Sequence, residues 1–341
     1  MRGAIVLSEE EKNIYINHLN ESIHYCNESL LDYSGKKLKI NCVITNSMEF
    51  NANCSLLPEG FYKLNIRSEV FEKTFRILNT LLYEKNINFY TIVSGGDQKY
   101  DLKKANLYLD LMHSISCRLI IYHELGHIFN GHLDYYHSRS ISPRKLSLFM
   151  DSRKNQLPSL ESQVLEMDAD AFAATRLIGQ FTYNPIINSY NKAAPALLKS
   201  QIHAFLLVII SSCITFSIMG LGYKRDQVNY LESKYLPLRT RQDYYVRCTL
   251  NAYKMFNNGH LDTDPELLDI TFYREVLYNV EQYVNLYYRE ALGFQKTEID
   301  SSNNRNEMDE VLIKHSDFLD IFWRNEMRNK LSPFSYFYLA E

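Results

Sequence analysis

The alternation of apolar and polar residues predicts a short run of strands followed by long helices. Residues from about 8 to 32 carry the three-to-four spacing of an amphipathic helix. After Ser34-Gly35, the run Leu38 to Ile44 alternates at first and reads as a strand. Pro58-Glu59-Gly60 is a turn, and Phe61 to Ile66 a second strand. Helical spacing returns over Glu69 to Glu84. Ile87 to Val93, rich in β-branched and aromatic residues, predicts a third strand closed by Ser94-Gly95-Gly96. Leu102 to Phe129 reads as one long helix, and Ala204 to Tyr223 runs without a charge. Beyond 262, one apolar stripe runs from Leu267-Leu268 to Tyr287 and another from Val311-Leu312 to Trp323, joined by the polar stretch Thr297 to Asn306, the expected flexible link. The predicted class is α+β, mostly helical, with a small N-terminal sheet and a helical C-terminal part.

The candidate chemistry lies at the end of the long helix, in His123-Glu124-Leu125-Gly126-His127. Histidines four apart share one helix face, where both rings reach a single metal ion, and the glutamate between them is placed to act as general base. Such a pattern arises by chance in roughly one or two per cent of chains of this composition, so its context matters. That context is Leu165-Glu166-Met167-Asp168-Ala169-Asp170-Ala171-Phe172-Ala173. Catalytic zinc usually takes three protein ligands and keeps a fourth position open. Glu166 is the expected third ligand, and Asp170, one turn on, is placed to hydrogen-bond a ligand imidazole. Ala169, Ala171, Ala173 and Ala174 permit close packing of the two helices. His132 is an alternative third ligand and Asp168 a weaker one. On a continued helix His132 points about 180° from His123, and Asn130-Gly131-His132 reads as the helix end, with Gly131 as a left-handed cap.

The paired motif resembles the gluzincin metallopeptidases, in which the histidine helix is followed by a helix of the form Glu-x-x-Ala-Asp. Metzincins need glycine and histidine where this chain has Asn130 and Leu133, and are excluded. Over roughly residues 55 to 245 the order of elements resembles the phage-exclusion peptidases of the Lit type. The departure is Leu236, where that group has histidine before Pro237. The resemblance implies a zincin-like domain over 1–261, with metal helices at about 102–131 and 160–178, and a C-terminal helical region over 262–341. It implies zinc on His123, His127 and Glu166, with Glu124 as base. A tyrosine, histidine or arginine is expected as second electrophile, with Arg241 the best candidate and Arg239 the alternative. It also implies an edge strand that binds substrate by backbone pairing, and a role in phage defence by cutting a host protein, with a translation elongation factor as the associated substrate.

Composition narrows the setting. A formal charge of −3 gives no reason to expect nucleic acid. Only 12 Gly and 8 Pro fit long helices with few turns, and the 26 Tyr are scattered rather than gathered in a site. The six cysteines contain no C-x-x-C pair, which fits a reducing compartment, and the N-terminus lacks a secretory apolar run. A cytoplasmic protein is expected. Ala204–Tyr223 has the length of a membrane span but also of a buried core helix, so inner-membrane association is the alternative. The segment His137 to Ser159, with Arg139, Arg144, Lys145, Arg153 and Lys154, reads as a surface loop or as a flap favouring acidic or extended substrates. The expected activity is an intracellular zinc endopeptidase acting on a protein or peptide. The rivals are a membrane-embedded zincin protease and a zincin-fold binding module with little catalysis.

Overall fold

The structure, a computed structural model, describes residues 38–58, 60–83, 87–97, 99–139, 146–147, 159–183, 201–220, 238–256 and 305–339, with isolated positions between 13 and 27 and at 280. Three strands open it: β1 (Ile40–Thr45), β2 (Ala52–Leu56) and β3 (Tyr62–Arg67). In β3 the alternation is strict. Tyr62, Leu64 and Ile66 are buried, while Lys63, Asn65 and Arg67 are only partly covered. β1 pairs parallel to β3, and β2 pairs antiparallel to it through the turn at Gly60, whose φ is 75°. β4 (Leu146–Ser147) adds antiparallel to the free side of β2, opposite Cys54 and Asn53, giving the order β1-β3-β2-β4.

Helices make up the rest: α1 (Glu69–Tyr83), α2 (Ile87–Val93), α3 (Leu102–Phe129), α4 (His132–Ser138), α5 (Ser159–Tyr183), α6 (Gln201–Gly220), α7 (Leu238–Phe256) and α8 (Arg305–Phe322). A π turn (Trp323–Met327) and α9 (Arg328–Leu331) follow α8. The class is mostly helical with a small N-terminal sheet. The first and second expected strands and the helices at 69–84 and 102–129 are present. The amphipathic helix of 8–32 falls mostly outside the described residues; its isolated described positions are helical. The stripe from Leu267 to Tyr287 also lies outside them apart from the buried Val280, as does most of the polar link Thr297–Asn306.

The third expected strand is instead the helix α2. Its sequence favours β, but its buried positions are Phe89, Tyr90 and Val93, one helical face turned onto α1 and α6. Tertiary packing overrides local preference here. His203 of α6 bonds the Val93 carbonyl at 2.7 Å, and Gly95 and Gly96, both at positive φ, end the helix.

α3 is the central element. Asp101 caps it by accepting from the backbone N–H groups of Lys103 and Lys104 at 2.9 and 3.2 Å. Its second half is buried nearly all round, against β2, α1, α5 and α6. α6 is the uncharged segment. Its described side chains are buried except for the partly covered Leu206 and Ser217, because α2, α3, α5 and α7 surround it. It is a core helix, and among the described residues no helix is long and apolar enough to cross a membrane.

The C-terminal residues dock on this core. α8 packs on α5 and α7, burying Leu319, with Trp323 buried in the π turn; Phe318 and Ile321 of the same stripe face outward. Tyr336 N–H donates to the Phe129 carbonyl at 2.7 Å, tying the tail to the end of α3.

Candidate metal centre

Four helices and one strand converge on the end of α3. The crossing of α3 and α5 is tight because Gly126 faces Ala169. A Cβ on Gly126 would lie 3.1 Å from the Ala169 Cα and 3.2 Å from the Phe172 Cβ. This approach brings Glu166 against the two histidines. His123 Nε2 and His127 Nε2 are 3.2 Å apart, His123 Nε2 and Glu166 Oε2 3.4 Å, and His127 Nε2 and Glu166 Oε1 3.6 Å. Bonds of 2.0–2.1 Å to a tetrahedral ion put neighbouring donors about 3.3–3.4 Å apart. The separations fall near that edge, with His123 and His127 facing different oxygens of the Glu166 carboxylate, and the three residues form a buried group able to hold a metal ion. Glu166 Oε2 is buried and, among the described residues, has no hydrogen-bond partner, as a ligand oxygen would be.

Each histidine is backed by a hydrogen bond. His123 Nδ1 donates to Asp170 Oδ1 at 2.8 Å, and Asp170 is gripped by Arg241 of α7 through two bonds of 2.7 Å. Arg241 also lies 3.6 Å from Glu166 and over the Phe216 ring of α6. So Arg241 reaches the centre through the acids of α5. Behind His127 stands His132, with the two Nδ1 atoms 2.8 Å apart. His132 Nε2 meets Asp168 Oδ2 at 2.9 Å, and Asn130 Nδ2 donates to the same oxygen at 2.6 Å. His132 and Asp168, the alternative ligands of the sequence reading, thus sit outside the ligand triangle. Gly131 is in the left-handed conformation, φ 77°, as expected of a cap.

Burial sets the electrostatics. Glu124 is fully buried, and among the described residues neither carboxylate oxygen has a hydrogen-bond partner beyond a weak interaction with the Cys54 thiol of β2. Burial, moderated by His123, pushes its carboxyl up to about 7. Burial opposes charge on His123, but Asp170 and Glu166 outweigh it and lift the imidazole to about 9. For Glu166, burial is outweighed by the two histidines and Arg241, which hold it down at about 2. Burial drives His127 well below the ordinary imidazole range. Asp170 is also lowered, burial being overcome by Arg241 and His123. Arg241 neutralises Asp170, which leaves Glu166 and, when ionised, Glu124 facing two imidazole nitrogens. That set suits a divalent cation.

The sequence spacing anticipated the positions of His123, His127, Glu166 and Asp170 relative to one another. It missed Cys54, which belongs to a strand with no local link to the motif, and the partnership of His132 with Asp168. Compared with family models, curated proteins and solved structures, the chain matches none.

Proposed function

We propose that the chain is a zinc-dependent peptidase with a zincin-like core, acting on a protein or peptide. The observation that carries this reading is the tetrahedral spacing of His123, His127 and Glu166 beside the unpartnered, buried Glu124 carboxylate. Zinc held there would supply a Lewis acid that acidifies a water and polarises a carbonyl. Glu124, with its carboxyl near 7, is poised to take a proton from the attacking water and return it to the leaving amine. Asp170 fixes the His123 ring with Nδ1–H outward, and Arg241 holds Asp170. We assign Arg241 this positioning role rather than the electrophilic one expected from the sequence, because Asp170 engages its guanidinium twice. The narrower reading, defence against phage by cutting a host protein such as an elongation factor, is supported by the Lit-type sequence resemblance alone.

One observation favours a second reading, a metal-holding binding module. His123, Glu124 and His127 are almost wholly buried, and the outer side of β2 is already paired with β4. Substitution of Glu124, which is not a ligand, separates the two readings. In bacterial cells expressing the chain, new protein N-termini should appear that are absent with Glu124→Gln, while both purified proteins carry one zinc. Identical N-termini in the two cultures would leave the binding module as the reading.

A further inference from the structure

Resting on that reading of the centre, we propose that His132 and Asp168 are positioning residues that deliver a carboxylate to His127 indirectly, as Asp170 does directly for His123. The two ligand histidines occupy successive turns of α3, but α5 offers them different reach. Asp170 lies one turn beyond Glu166 and meets His123 without an intermediary. Asp168 lies two residues from Glu166, about 200° around the helix, and meets His132 rather than His127. The gap is filled by His132. Gly131, at φ 77°, bends the chain back after α3, and His132 begins α4 with its ring edge-on to His127, centroids 5.0 Å apart.

The hydrogen positions follow from what each group can do. An ionised carboxylate only accepts, so His132 donates to Asp168 from Nε2. A neutral imidazole that donates from Nε2 accepts at Nδ1, so in that form of His132 the 2.8 Å contact between the two Nδ1 atoms carries the proton of His127. With Nδ1 protonated, His127 presents a bare Nε2 toward Glu166 and His123. The opposite tautomer would put a hydrogen in the ligand triangle, where it blocks a metal. Asn130 donates to the same Asp168 oxygen and so holds the acid in place. Removal of such an outer partner typically weakens metal binding 10–100-fold.

The test uses the full chain and zinc alone, titrated against a chromophoric chelator. Asp168→Ala and His132→Phe should each weaken zinc binding about 10–100-fold. Asp168→Asn, whose amide oxygen still accepts from His132 but carries no charge, should bind zinc more weakly than the parent and more tightly than Asp168→Ala, and it decides the question if the alanine variant does not fold. Nitrogen-15 spectra of histidine-labelled, zinc-loaded parent protein should show His132 protonated at Nε2 and bare at Nδ1, a tautomer that a purely structural contact would not dictate. A proton on His132 Nδ1, or equal zinc affinity in parent and both disruptive variants, overturns the relay while leaving the zinc centre standing. Failure of the parent to take up zinc overturns the centre itself, and the relay with it.

Discussion

His123 and Glu124 are neighbours that burial treats oppositely, and together they give the metal-free protein a definite response to pH. His123 is raised from 6.5 to about 9, so its contribution to stability is present below 6.5 and lost as pH climbs through 9. Glu124 is raised from 4.5 to about 7, so the folded state favours its protonated form, and stability falls over that interval. Glu166, lowered to about 2, stabilises above 4.5 and loses its effect as pH drops toward 2. His127, driven below its ordinary range, gains stability as pH rises to 6.5 and offsets Glu124 there, so the metal-free chain should hold a plateau over about pH 5–6.5 and lose on the order of a few kcal/mol by pH 9. Zinc displaces the His123 proton and strengthens as pH rises, so the zinc-loaded chain should show the opposite slope. Urea unfolding at several pH values, with chelator or with zinc, measures both curves. A metal-free chain that gains stability from pH 5 to 9 would contradict these assignments. At this scale the motif residues were legible because a helix converts spacing into direction. His132 was read only as an alternative ligand, and its link to Asp168 was not legible, because the left-handed turn at Gly131 resets the direction of the chain.

Between elements, the decisive contact is the crossing of α3 and α5. Replacing Gly126 with alanine sets a helix-propensity gain of about 1 kcal/mol against a Cβ only 3.1 Å from backbone, and whether the Ala169 backbone can give by a few tenths of an ångström decides the sign. Gly126→Val has no such balance. It should cost roughly 1–3 kcal/mol, as overpacked cores do, and weaken zinc binding, because Glu166 rides on the displaced helix. Denaturant unfolding and chelator competition on the same variant check both effects; unchanged zinc affinity would mean that α5 does not set the ligand spacing. Periodicity revealed α3 along its full length and the edges of β1 and β3. It did not reveal β2, whose Ala52-Asn53-Cys54-Ser55 carries little β preference and becomes strand by pairing on both sides. α2 misled for the converse reason: its residues prefer strand, but the space open to them lies between α1 and α6.

For the molecule as a whole, the tail at Phe334–Phe337 matters as much as the motif. The composition and the order of elements announced the mostly helical class, but no local pattern announces which segment a distant tail will cover. A Cβ on Gly131 would lie 2.5 Å from the Phe334 carbonyl carbon, at a φ that side chains resist. Gly131→Ala should cost more than about 2 kcal/mol and expose the tail to limited proteolysis; a tail as resistant as the parent's would show that it is held elsewhere. The tail also reaches the sheet, where Tyr336 meets Tyr62 hydroxyl to hydroxyl at 3.0 Å across 274 positions of sequence. At a synthesis rate of about 5–20 residues per second, that contact waits roughly 15–55 s after Tyr62 is made. Over the 166 positions between Asp170 and Tyr336, roughly 8–33 s at that rate, the histidines and acids have been polymerised but the end of α3 lacks its contact with the tail. The tail is thus the last of these parts to arrive, and the sheet and the end of α3 are joined through it only after every residue of the metal-holding group has been made.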